Sequence, residues 1–272
     1  MCGNRGIVDC IDYFGKTQDT CDLSHFFSDF PFTFLLIEHL LIIFDGSQFY
    51  TLQMKTVRFA DGDGALPVGK ILCLGRNYAA HAREMKSEIP STPVVFLKPS
   101  TALLESGGSV RIPPFSHDVH HEVEMVVVIG NEGRNITRDR AMEHVGGYAV
   151  GLDMTLRDVQ AEAKQKGLPW TVAKCFDTSA PLSVAVRRSA VKDPHALNIS
   201  LRVNGAVRQS SNTRNMLLTI PDIIAYCSSV FTLEPGDLIF TGTPAGVGEL
   251  RNGDEVVVEI EGLGRLSNPV KS

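Results

Sequence analysis

Residues 120–130 read His120-His121-Glu122-Val123-Glu124-Met125-Val126-Val127-Val128-Ile129-Gly130. From Glu122 to Gly130 the run is apolar, rich in β-branched residues and closed by glycine, which predicts a buried strand. Alternate side chains on a strand share a face, so Glu122 and Glu124 project together, about 6–7 Å apart. Two carboxylates on an otherwise apolar strand are costly unless something neutralises them. A hard divalent cation does so. Asp153, in Gly151-Leu152-Asp153-Met154-Thr155 at the end of a later strand, offers a third oxygen ligand. Three carboxylates with open positions suit Mg²⁺ or Mn²⁺ better than zinc. Taken alone, the same pattern also fits a solvent-facing Glu pair on an edge strand. His120 shares the face of both glutamates. It is read as a partner of a ligand or a packed histidine, in preference to a fourth ligand.

Outward from this strand, short elements dominate. Lys70–Leu74, Val94–Leu97, Val110–Ile112, Gly147–Asp153, Asp237–Thr241 and Glu255–Ile260 read as strands. Tyr78–Lys86 and Thr137–His144 read as helical, the second with Thr137 as N-cap. Thr155 is placed to cap a helix running to Lys166, closed by Gly167 and Pro169. Leu197–Val203 and Ala206–Gln209 flank Asn204-Gly205, the signature of a type I′ hairpin. Ile220–Val230 reads as a helix with Pro221 in its first turn. Many strands, short helices and no regular βαβ series predict an α+β fold, a mixed β-roll or β-sandwich.

Three further groups carry chemistry. His81 and Glu84 are i, i+3 on the helix after Gly75-Arg76-Asn77 and can touch. Such a pair makes a general base for activating water, or else an ordinary surface pair. Lys98 and Lys174 each follow an apolar stretch, as snorkelling stems or anion anchors. Thr241-Gly242-Thr243-Pro244, with Gly246 and Gly248, forms a Gly-rich turn that either presents hydroxyl and N–H groups to a carboxylate or is purely structural. It lacks the lysine of a P-loop, which argues against nucleotide binding.

Composition narrows the classes. The chain has 272 residues and a formal net charge of -5, which argues against nucleic acid as a general partner. Six cysteines without a C-x-x-C pair point to reduced thiols in a cytosolic protein. No basic, cleavable signal peptide is visible. The apolar run from Phe32 to Phe44 is interrupted by Glu38 and His39 and is too short for a bilayer. It predicts a buried or interfacial segment and no membrane span. Residues 1–53 hold two basic and seven acidic residues, and half the cysteines. They are expected to be an appendage, disordered or arising from a misassigned start, with residues 54–272 as the catalytic domain.

Together these motifs resemble the fumarylacetoacetate hydrolase superfamily from Ile71 to Val270. The resemblance rests on GRNYAAHAREM, FLKPS, HHEVE, YAVGLDMTLRDVQAEAKQKGLPW, AKCFDTSAP, VNG and PGDLIFTGTPAGVG. It is nearest the acylpyruvate and fumarylpyruvate hydrolase branch. It implies that Glu122, Glu124 and Asp153 bind Mg²⁺ or Mn²⁺, and that His81 and Glu84 activate water. Lys174 would stabilise the enolate oxygen, while Arg76, Lys98, Arg157, Gln160 and Thr243 would hold a small anionic keto acid. The implied activity is hydrolysis of an acylpyruvate to pyruvate and a carboxylic acid. Oxaloacetate decarboxylation, an isomerase or hydratase reaction, and non-catalytic ligand binding are the alternatives. The resemblance also implies a homodimer, cytoplasmic, or mitochondrial in a eukaryote. Nothing before Ile71 matches the N-terminal domain of animal fumarylacetoacetases, which argues against fumarylacetoacetate as substrate.

Overall fold

A computed structural model describes residues 54–272 and, before them, only the backbone strands Thr33–Ile37, Leu40–Phe44 and Phe49–Gln53. These three pair antiparallel in sequence order. The side chains of the apolar run read as buried or interfacial, and most of the predicted appendage, lie outside the described residues. The chain divides into two compact units, Met1–Gln53 and Met54–Ser272.

In the second unit an eight-stranded sheet carries the site. Its order is Val94–Lys98, Ile71–Gly75, Leu238–Phe240, Val123–Ile129, Val145–Leu152, Ala180–Leu182 and Leu103–Glu105, with Val186–Arg187 pairing to Val145–Leu152. A five-stranded sheet runs Ala206–Asn212, Asn198–Val203, Glu255–Ile260, Gly264–Lys271 and Val110–Arg111. Both sheets mix parallel and antiparallel pairs. Four α-helices lie among the described residues of this unit: α1 Ala79–Glu84, α2 Arg157–Lys166, α3 Thr171–Lys174 and α4 Ile220–Val230.

The strand Val123–Ile129 is central, and every one of its residues is buried. Val123, Met125, Val127 and Ile129 join a core that includes Leu201, Val256 and Leu266 of the five-stranded sheet. Val126 and Val128 face the other way, against Cys73, Ala149 and Phe240. Burial on both faces is why the run is continuously apolar instead of alternating. Glu124 interrupts that pattern, and there the apolar core gives way to the polar site.

The buried strand forms as Val123–Ile129, but two expected elements differ. The period of two taken from His120 to Glu124 also breaks at Glu122: Val119–His121 belongs to a separate small sheet with Thr155–Leu156 and Gly248–Leu250. Thr155 therefore pairs in a strand, and α2 begins at Arg157 without a side-chain cap. Only a 3₁₀ turn, Ala141–His144, forms where a helix over 137–144 is predicted. The hairpin turn at Asn204-Gly205, with φ of 50° and 81°, and α4 form as read.

Candidate active site

Antiparallel register brings the carboxylates together. Val123 lies opposite Leu152, so Glu122 and Asp153 stand at adjacent strand ends, joined by an Asp153 N–H to Glu122 carbonyl bond of 2.9 Å. Glu122, Glu124 and Asp153 are all buried, and one ligand atom from each lies within 4.8 Å of the others.

Helices α2 and α3 bring cations to this cluster. Arg157 Nη2 pairs with Glu122 Oε1 at 2.5 Å, and its Nη1 donates to Gln160 Oε1 at 2.9 Å. Lys174 Nζ bridges Glu122 Oε2 at 2.8 Å and Asp153 Oδ2 at 2.6 Å. Glu124 has no cationic partner among the described residues. Its Oε2 accepts only the Gly242 N–H, at 2.6 Å.

The electrostatics follow from these neighbours. Burial opposes the charge of Glu122, yet Lys174 and Arg157 outweigh it and hold the carboxyl well below the usual range. Burial, then Asp153 and Glu122, push Glu124 well above that range. Burial likewise opposes the charge of Lys174, but Asp153 and Glu122 overcome it and raise its pKa. The donor set fits a hard divalent cation: oxygen ligands only, buried and convergent, with one carboxylate lacking counter-charge. Lys174 occupies, as a monovalent cation, the carboxylate pair that such an ion would share.

On α1, His81 Nδ1 lies 3.3 Å from Glu84 Oε2. The loop after Leu238–Phe240 joins this pair to the carboxylates. Its Gly246 N–H donates to Glu84 Oε1 at 3.0 Å, while Gly242 reaches Glu124. Gly246 holds φ at 100°, and a Cβ there would collide with the Arg208 carbonyl, so only glycine follows this path without strain. A narrow cleft opens over these groups, lined by His81, Glu122, Glu124, Asp153, Arg157, Gln160, Lys174, Thr243 and Arg76.

Residues 70–271 match the family described as fumarylacetoacetate (FAA) hydrolase C-terminal. The chain belongs to the fumarylacetoacetate hydrolase family. Its α+β architecture is that family's fold. Among similar proteins, "Oxaloacetate tautomerase FAHD1, mitochondrial" of Mus musculus is 50% identical over 201 residues, spanning 74% of this chain and 91% of that protein. The Arabidopsis thaliana protein of the same name is 47% identical over 202 residues, 74% of this chain and 91% of that one. A fumarylpyruvate hydrolase from Pseudomonas aeruginosa, solved in complex with Mn²⁺ and pyruvate, superposes with a TM-score of 0.80. It is 39% identical, covering 83% of this chain and 99% of that chain.

Within this family member, most of the predicted site residues gather at one cleft. Glu84 does not line it and touches His81, which does. Lys98 does not line it. Its side chain is fully buried, and its ammonium is enclosed by Asp153 Oδ1 at 2.9 Å, Ser179 Oγ at 3.1 Å, the Met154 carbonyl at 3.4 Å and the Lys174 carbonyl. These oxygens enclose the ammonium, and through them Lys98 ties α3 to Asp153. His120 is outside the carboxylate cluster. It pairs with Asp118 at 2.8 Å, with Arg157 Nε 3.5 Å away. The sequence reading missed Gln209, a buried side chain that bonds to Thr243. Its position on a polar edge strand carries no local signal. Among the described residues, no helix is long and apolar enough to cross a membrane.

Proposed function

We propose that this protein is a divalent-metal-dependent enzyme acting on small 2-oxo acids through their enol or enolate forms, with oxaloacetate tautomerisation as its main reaction. The observation that carries this reading is the meeting, at one cleft, of His81, Lys174 and three convergent carboxylates. The 50% identity to an oxaloacetate tautomerase supports the substrate. Glu122, Glu124 and Asp153 would hold Mg²⁺ or Mn²⁺. When bound, such an ion supplies Lewis-acid polarisation of the 2-oxo group.

The remaining chemistry belongs to side chains. Glu84 fixes the His81 ring by accepting from Nδ1–H, which leaves Nε2 as the basic nitrogen. His81 takes a proton from C3 of the keto acid, and the resulting imidazolium gives a proton to the C2 oxygen to form the enol. In reverse the enol hydroxyl loses its proton to His81 and C3 takes it back. The Lys174 ammonium stabilises the negative charge that develops on the C2 oxygen. Arg157 and Gln160, one turn apart and already bonded, orient the substrate. Arg76 and Thr243 meet its carboxylate groups.

Acylpyruvate hydrolysis is the second reading, favoured by the likeness to a fumarylpyruvate hydrolase. There His81 takes its proton from water, hydroxide adds to the distal carbonyl, and pyruvate leaves as the enolate. Decarboxylation of oxaloacetate passes through the same enolate. The test is a substrate panel on purified protein with Mg²⁺, Mn²⁺ or EDTA. It follows loss of enol absorbance from oxaloacetate and release of pyruvate from oxaloacetate and acylpyruvates. Metal-dependent enol decay faster than any pyruvate release supports tautomerisation as the main reaction. Faster pyruvate release from an acylpyruvate makes hydrolysis the main reaction, and no metal-dependent turnover of any 2-oxo acid overturns the proposal. A homodimer belongs to the same proposal. Leu97, Leu168 and Val172 are exposed near the sheet edge formed by Val94–Lys98, and sedimentation velocity would test their burial between copies.

A further inference from the structure

Gln209 lies on the edge strand of the five-stranded sheet and is fully buried. The orientation of its amide is fixed by groups that have only one hydrogen-bonding role. Oε1 accepts from the backbone N–H of Val123 at 3.1 Å, a group that can only donate. Nε2 donates to the Pro244 carbonyl at 2.8 Å, a group that can only accept. The second acceptor site on Oε1 faces His121 Nδ1 at 3.1 Å, which must therefore carry its proton there. The second Nε2 hydrogen goes to Thr243 Oγ1 at 2.9 Å. All four hydrogen-bonding positions of the amide are filled, so it has no freedom to flip.

The consequence falls on Thr243. Its oxygen accepts from Gln209, and it makes no other hydrogen bond among the described residues. Its own proton is therefore left for a partner in the cleft, which it lines while almost fully buried. We propose that Gln209 is a positioning residue that sets the Thr243 hydroxyl as a hydrogen-bond donor into the cleft, selecting an anionic oxygen of the substrate carboxylate. This rests on the reading that Thr243 meets that carboxylate. Through the same amide, Gln209 couples the Thr243 loop to Val123, the residue between the two glutamates of the carboxylate cluster.

Changes of donor pattern at constant shape test this. In Gln209→Glu an ionised carboxylate keeps the bonds from Val123 and His121, loses the bond to the Pro244 carbonyl, and accepts the Thr243 proton, turning it out of the cleft. KM for oxaloacetate, and Kd for pyruvate by calorimetry, should rise roughly 10–100-fold, the loss expected for a hydrogen bond to a charged group. Turnover at saturation should change far less, because the lost contact is a binding contact. Gln209→Met frees the hydroxyl to rotate and should cost less than Gln209→Glu, although it is the poorer mimic. In a Thr243→Val background neither change should add to the loss. Full additivity in that background, or Gln209→Met costing more than Gln209→Glu in step with melting temperature, would overturn the proposal in favour of a structural role. If Thr243→Val raises KM and the Gln209 variants do not, the proposal alone fails. If Thr243→Val leaves KM unchanged, the carboxylate reading of Thr243 fails and takes the proposal with it. Should Gln209→Glu not fold, the Gln209→Met comparison across the two backgrounds decides the matter.

Discussion

Lys174 and Arg157 flank Glu122, whereas Glu124 faces Asp153 and Glu122, which outweigh its bond from the Gly242 N–H and the more weakly felt charge of Lys174. The signs of their linkage to folding are therefore opposite. Glu122 has a depressed folded pKa, so it adds stability above the ordinary value of 4.5 that is lost as pH falls through the folded value. Glu124 has a raised folded pKa, so its favourable contribution is present below 4.5 and is lost as pH climbs towards the folded value. Above 4.5, without metal, Glu124 is therefore a cost to folding. Calorimetry in EDTA should show Glu124→Gln melting higher than wild type and Glu122→Gln melting lower, by at least ~2–4 °C each, the shift that about 1 kcal/mol produces at this size. Adding Mn²⁺ should raise the wild type and leave Glu124→Gln nearly unmoved. A lower melting point for Glu124→Gln in EDTA would contradict the charge imbalance. At His81, replacement by Ala should cut turnover about 10²–10⁴-fold with little change in pyruvate affinity. Near wild-type turnover would remove this pair from the mechanism. The carboxylates were legible in the sequence because a period of two is visible locally. That Lys98 lies outside the cleft lining was not legible, because the oxygens that enclose it come from Asp153, Met154, Lys174 and Ser179, distant in the chain. Gln209 was invisible for the same reason: its partners Val123 and Thr243 are set by the packing of two sheets.

At the scale of elements, the loop Thr241–Gly248 links the base pair on α1 to the carboxylate cluster through two backbone N–H groups. Gly246 is the constrained point, with positive φ and the Arg208 carbonyl in the way of any side chain. Gly246→Ala should destabilise by about 1–3 kcal/mol and should lower turnover as well, because moving the loop releases Glu84. Melting curves and kinetics on the same preparation check this, and unchanged turnover would show that the loop does not hold the dyad. The sequence located this turn, the hairpin at Asn204-Gly205 and α4 from local turn and cap chemistry. It did not locate the break at Glu122, because the split arises from pairing with Thr155–Leu156 and Gly248–Leu250, and those partners are non-local. The same pairing displaces the N-cap of α2 from Thr155 to Leu156.

At the scale of the molecule, the family match runs from residue 70 to 271, and the second compact unit begins at Met54. We propose that residues 1–53, which carry the acidic excess of the chain, are dispensable for catalysis. A chain starting at Met54 should keep the melting temperature, oligomer size and turnover of the full length. An insoluble or inactive product would show that the first unit completes the domain. The central claim, that Glu122, Glu124 and Asp153 hold one divalent cation on which 2-oxo-acid turnover depends, is tested most directly by a Mn²⁺ titration of metal-free protein. Bound Mn²⁺ would be followed by electron paramagnetic resonance, and oxaloacetate enol decay measured on the same samples. The account predicts one Mn²⁺ per chain, a rate proportional to occupancy, and loss of both in Asp153→Asn. Full turnover in EDTA, or Mn²⁺ binding that Asp153→Asn leaves intact, would contradict it.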